Sequence, residues 1–89
     1  MLRITRVAES ASQVTYKVEG KIVAEWVFEL ERECLAVLQE KRKVRLDVSA
    51  VTFIDRRGVA AMRRLAAEHV AIINCPEFIG ELLRKGSER

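Results

Sequence analysis

Apolar and polar positions follow two periods along this chain. Leu2, Ile4 and Val7 form a first extended run over 2–7, and the polar Glu9-Ser10-Ala11-Ser12 reads as a turn. Val14, Tyr16 and Val18 then alternate with Thr15, Lys17 and Glu19 up to Gly20. A period of two marks a half-buried strand, so these runs predict an antiparallel hairpin. The period next lengthens. Val23, Val27, Leu30, Cys34 and Leu38 recur at spacings of three and four, widened by Trp26 and Val37, which predicts a helix from Ala24 to Glu40. Phe28 and Leu35 lie seven apart on a flank of that stripe. Such a pair packs against a strand edge or the last helix, or else forms a homodimer or partner interface.

Lys41-Arg42-Lys43 places cations where helix carbonyls end, which closes that helix favourably. Val44, Leu46 and Val48 predict a short strand. A second helix follows from Arg56 to Ala67, with Asp55 as N-cap and Val59, Met62, Leu65 and Ala66 facing inward. Arg56, Arg57, Arg63 and Arg64 face the other way. His69 to Asn74 reads as a buried strand, and Pro76 suits the first position of a last helix whose apolar side is Phe78, Ile79, Leu82 and Leu83. The order β-β-α-β-α-β-α implies an α/β fold with parallel pairing through helical crossovers, preceded by a hairpin.

At 89 residues the expectation is one domain spanning 1–89. A hydrophobic fraction of 49% against 33% charged is a globular balance. No apolar run approaches membrane-spanning length, and Met1-Leu2-Arg3-Ile4-Thr5-Arg6 carries charge where a signal peptide is apolar, so a cytoplasmic location is expected. Cys34 and Cys75 without a CxxC, and the single His69, do not make a zinc set; both thiols are expected in the core. The net charge of +3 gains meaning from its layout: residues 24–40 are net −4, residues 41–45 net +4 and residues 56–69 net +3.

The segment from Leu46 to Asp55, with Gly58, resembles the signature of the STAS domain, the family that includes antagonists of anti-sigma factors. The shared pattern is an apolar strand ending in Asp-x-Ser (Asp47, Ser49), an apolar-x-Phe-apolar-Asp turn (Val51, Phe53, Ile54, Asp55), a dipeptide, a glycine (Gly58) and a helix. The element order, Gly20 before the first long helix, and Asn74-Cys75-Pro76 also fit. The resemblance implies a small α/β sandwich with about four strands in a mixed sheet, and a protein-docking function without catalysis. In many members the residue before the glycine is a serine or threonine phosphorylated by a kinase that is also the anti-sigma factor. Here that position is Arg57, preceded by Arg56, and neither carries a hydroxyl. Ser49 and Thr52 are nearby hydroxyls at structural positions of the motif.

Asp55 can cap the second helix, Gly58 lets that helix start close to a neighbouring strand, and Phe53 and Ile54 can anchor the turn in the core. The basic positions are either a solvated helix face or a contact surface. Three uses follow. The leading one is an interaction module like an anti-sigma-factor antagonist, meeting a kinase-like or other regulator through Asp55, Arg56, Arg57, Gly58, Ala61, Arg63 and Arg64. The second is a subunit of a transport complex or a self-associating scaffold, in which Trp26, Phe28 and Leu35 matter more. The third is a sensor binding a nucleotide or other anion at Asp55-Arg56-Arg57-Gly58, since helix N-termini favour anions.

Catalytic and metal constellations are thin. Ser49, His69 and Asp47 compose a triad only on paper, His69 being better read as the end of the second helix, where positive charge is favourable, and the chain has no P-loop, GxGxxG or HExxH. Cys75 at a helix start has no partner nucleophile or base. Asp47 and Asp55 are too few for a calcium site. No cofactor or metal is expected. No aromatic residues interleave the arginines as in a single-strand nucleic-acid binder, so no nucleic-acid partner is expected.

Overall fold

The computed structural model describes the backbone of residues 2–86 and the side chains of residues 2–84. The elements are β1 (Leu2–Glu9), β2 (Gln13–Ile22), α1 (Ala24–Gln39), β3 (Lys43–Ile54), α2 (Arg56–Ala67), β4 (Ala71–Ile73) and α3 (Glu77–Gly86). This is the expected β-β-α-β-α-β-α order. The sheet runs β1-β2-β3-β4, with β1 antiparallel to β2 and the other neighbours parallel. Val14 pairs with Val44 and Tyr16 with Leu46. Alternation therefore puts Val14, Tyr16, Val18, Val44, Leu46 and Val48 on one buried face. Val27, Leu30, Cys34 and Val37 of α1 and Val59, Ala61, Met62 and Leu65 of α2 complete the core, and Ile79 joins it from α3.

Two strands run further than their sequence pattern. β2 continues through Gly20, whose φ of 100° needs a residue without a side chain, to Ile22. β3 continues past Val48 to Ile54. Pairing slips between Lys17 and Glu19 and again between Gly20 and Lys21. Across those slips the buried positions of β3 change from every second residue to every third: Val48, Val51, Ile54. The alternation that marks a strand disappears there although the strand does not.

The expected buried strand from His69 to Asn74 shrinks to Ala71–Ile73 at the sheet edge. His69 terminates α2, as expected from its place after that helix. Its φ is 71°, its N–H donates to the Ala66 carbonyl at 3.0 Å, and the Val70 N–H reaches the Leu65 carbonyl at 3.0 Å. This is a Schellman motif, with Val70 buried beside Leu65. α1 ends the same way: Lys41 has φ 64°, and the Lys41 and Arg42 N–H groups donate to Leu38 and Val37 at 2.9 and 3.4 Å. Both left-handed positions carry side chains where glycine is favoured. Lys41→Gly and His69→Gly are each expected to raise stability by about 1 kcal/mol, read as a higher urea midpoint.

The cationic closure of α1 takes another form. No basic residue lies in its last turn. Arg42 turns back to the hairpin, donating to Glu9 Oε2 at 2.8 Å, the Ser10 carbonyl at 3.0 Å and Glu40 Oε1 at 2.6 Å. The Tyr16 hydroxyl adds a second tie, donating to Glu33 of α1 and accepting from Arg6 of β1, both at 3.0 Å. Cys34 is fully buried as expected, and burial followed by the Glu33 and Glu31 charges pushes its thiol pKa up to about 12. Cys75 is exposed rather than in the core, because it precedes α3 at the end of an edge strand. Pro76 stands just before α3, with its carbonyl accepting from Ile79 and Gly80 at 3.1 Å.

Candidate functional site

The corner where β3 enters α2 is built around one carboxylate. Asp55 is the N-cap of α2, and its Oδ1 accepts from the Gly58 N–H at 2.8 Å. Its Oδ2 accepts from the Ala24 N–H of α1 at 3.0 Å. Its own N–H donates to the Ile22 carbonyl at 3.1 Å. α1 has no cap from its own N-cap residue, Val23. Asp55 therefore supplies an acceptor to the starts of two helices and holds both to the end of β2. The Gly58 N–H bond, helped by Ala24 and the Arg57 charge, holds the Asp55 carboxyl below its ordinary pKa, against desolvation.

Gly58 is buried because α2 starts in contact with β2. A Cβ there would lie 2.6 Å from the Ile22 carbonyl oxygen and 2.7 Å from Ile54 Cγ1. Ile54 anchors the turn in the core, at 5% exposure. Phe53 does not: it is 50% exposed, because the adjacent Ile54 takes the inward position and neighbouring strand residues face opposite sides. Lys21 pairs with Phe53 and is also exposed. Arg56 and Arg57 follow immediately, both exposed. The corner thus carries an exposed aromatic side chain and three exposed cations, with the neighbouring carboxylate engaged inward.

The other expected contact residues go elsewhere. Ala61 is fully buried under α2 and offers a partner no surface. Arg63 is half-buried, donating to the Leu83 and Leu82 carbonyls of α3 at 3.3 and 3.5 Å. Arg64 makes a two-pronged pair with Glu31 of α1 at 2.8 and 3.0 Å. These two arginines bind α2 to its neighbours, so the basic helix face divides into an outward half and a structural half. Ala66, expected inward, is exposed.

Asp47 and Ser49 act locally. Asp47 Oδ1 accepts from the Ser49 N–H at 3.0 Å, and Ser49, Asn74 and Lys17 all lower the Asp47 pKa. The Thr52 hydroxyl donates to the Gly20 carbonyl at 3.3 Å. The paper triad is not assembled. Arg45 pairs with Ala71, so His69 lies near the start of β3, whereas Ser49 lies well along it. Cys75 has a raised thiol pKa, from desolvation, rather than the lowered one of an activated nucleophile. Among the described residues no cluster of His, Cys, Asp and Glu could hold a metal ion, and no helix is long and apolar enough to cross a membrane. At the start of α2, Asp55 already occupies the place a bound anion would take, which weighs against an anion sensor there.

Phe28 and Leu35 pack on neither a strand edge nor the last helix. They are 66% and 41% exposed, and Leu35 also lines a groove between α1 and α2 with Glu31, Arg64 and Glu68. Trp26 is half-buried, lining a groove with Leu2, Ile4, Glu29 and Glu33.

Among protein families, the STAS domain matches residues 4–79. No curated protein matches. Solved structures share the fold, among them these two. The anti-sigma factor antagonist SpoIIAA in its unphosphorylated form superposes with a TM-score of 0.69 at 16% identity, over 92% of this chain and 82% of that one. An uncharacterised Shewanella loihica protein with a SpoIIAA-like fold superposes at 0.59 and 16% identity, over 96% and 75%.

Proposed function

The chain belongs to the STAS domain family, and from that premise we propose that it is a non-catalytic docking module of the anti-sigma-factor-antagonist kind. The observation that carries this reading is the outward set at the β3–α2 corner: exposed Phe53, its sheet neighbour Lys21, and the exposed Arg56 and Arg57, on a turn pinned by Asp55. Such a set fits a partner with an apolar recess bordered by acidic groups. Arg57 stands where phosphorylated relatives carry a hydroxyl. This corner then keeps its charge, and docking is not released by phosphorylation at that position. The partner would be a cytoplasmic regulator, kinase-like or otherwise.

Affinity capture from the native host, comparing wild type with Phe53→Ala/Arg56→Ala/Arg57→Ala, identifies the partner. Binding kinetics with that purified partner then separate the roles. Arg56→Ala/Arg57→Ala is expected to slow association about tenfold at low salt, with the difference fading as salt rises. Phe53→Ala is expected to speed dissociation, because an anchor buried at the interface centre is lost. Capture of the same proteins by wild type and triple variant would overturn the reading. Capture of a transport ATPase or permease would assign the chain to a transport complex instead.

A further inference from the structure

We propose that the outer face of α1 is a homodimer interface in which two copies of this helix pack antiparallel about a twofold axis between Glu31 and Arg32. This surface includes none of the outward residues of the β3–α2 corner and does not depend on the docking role proposed for it. Phe28 is the most exposed large apolar side chain on the described surface, and Leu35 follows it on the same face two turns later. Beside them is a depression of about 360 Å³ lined by Phe28, Glu31, Arg32, Leu35, Ala36 and Gln39.

Four of those residues, Arg32, Leu35, Ala36 and Gln39, stand at i, i+3, i+4 and i+7. That is the four-residue hole into which a facing helix inserts a side chain. Ala36 keeps its floor low. A twofold axis midway between residues 31 and 32 sets position 28 of one copy level with position 35 of the other. Phe28 of the second copy then enters the hole beside Leu35, and the reciprocal insertion follows by symmetry. No other exposed side chain of α1 combines this size with this register.

The ion pairs on both flanks can face their own copies. On one flank Arg32 pairs with Glu29 at 2.7 Å and lies over the Phe28 ring at 5.4 Å. The twofold brings Glu29 of the second copy within reach of Arg32, so two carboxylates and two guanidiniums alternate along the seam. On the other flank each Glu31 is held by Arg64, and the axis sets two such pairs side by side. Glu25 beyond Glu29 on the first flank and Glu68 beside Arg64 on the second leave each copy mildly acidic there, so association of two copies is expected to strengthen as salt screens these charges. The strip is narrow, which places the dimer among small interfaces that form and dissociate readily.

Sedimentation velocity on the full chain, from micromolar to about 1 mM, reads the association. Wild type is expected to shift reversibly towards the mass of two chains. Phe28→Asp, at an exposed position, is expected to keep the wild-type melting temperature and weaken dimerisation at least tenfold. Register is read by disulfide formation with oxidised glutathione in a Cys75→Ser background. A mixture of Phe28→Cys and Leu35→Cys chains is expected to give the mixed disulfide ahead of either like-with-like product. A monomer throughout the concentration range, a dimer that Phe28→Asp leaves intact, or dominant like-with-like disulfides would each overturn the proposal.

Discussion

Gly58→Ala is expected to destabilise the protein by about 3 kcal/mol, although alanine is the better helix former. Gly58 lies in the first turn of α2, where propensity alone gives alanine an advantage of up to about 1 kcal/mol. Here the added methyl meets the Ile22 carbonyl oxygen at 2.6 Å and Ile54 Cγ1 at 2.7 Å. The first of these is backbone, held in place by the Asp55 N–H at 3.1 Å, so it cannot swing aside as a side-chain tip would. Relief requires α2 to lift from the end of β2, which strains the Asp55 bonds as well. An 89-residue domain has about 4–13 kcal/mol to lose, so the variant sits near the limit of folding. Gly80 is the internal control: a methyl added there would touch only Arg84 Nη1, at 3.7 Å. Gly80→Ala is therefore expected to stabilise by about 0.5–1 kcal/mol. Urea titrations of both variants check the opposite signs. A Gly58→Ala protein as stable as wild type would refute the close approach.

The same corner shows how far the sequence can be read. Element order, the hairpin and the α2 bounds follow from periodicity alone, because each spans enough turns or alternations to be unambiguous. Asp55 as N-cap is legible because its position just before an apolar-periodic run has few other uses. Its bond to Ala24 is not, since nothing local joins residues 31 apart. Phe53 reads as a core anchor from its apolar character, but adjacent strand residues face opposite sides and Ile54 takes the inward one; what the β2–β3 slips, which arise from pairing between distant segments, hide is the buried position at Val51. Arg63 and Arg64 have the composition of a solvated face. Only the packing of α2 against α3 and α1 shows that two of the four arginines are engaged. Phe28 and Leu35 show the converse. Their flank position is visible in the sequence, but whether anything covers them depends on where the sheet edge and α3 end up.

Asp55→Ala is expected to cost about 2–3 kcal/mol, more than loss of an ordinary helix cap. Removing a single capping side chain typically costs about 1 kcal/mol. Asp55 serves two helices, so its loss leaves both the Gly58 and Ala24 N–H groups without their protein acceptor. Asp55→Asn keeps one carbonyl-type acceptor without the charge and is expected to fall between wild type and alanine. The pH dependence is a second signature. The folded-state pKa of Asp55 is lowered, chiefly by the Gly58 N–H. Its stabilisation is therefore fully present above the unfolded carboxylate pKa of about 3.9 and declines as pH falls through the folded value. The gap between wild type and Asp55→Ala should be constant from about pH 5 to 7 and narrow below about pH 4. Asp47 and Glu9 also have lowered pKa values, but they titrate in both proteins and cancel in the difference. Urea midpoints at pH 7, 5 and 3 measure it. A gap that stayed constant down to pH 3 would mean that Asp55 contributes its shape and not its charge. In that case Asp55→Asn would differ from wild type only by the one backbone N–H that its single carbonyl oxygen cannot accept.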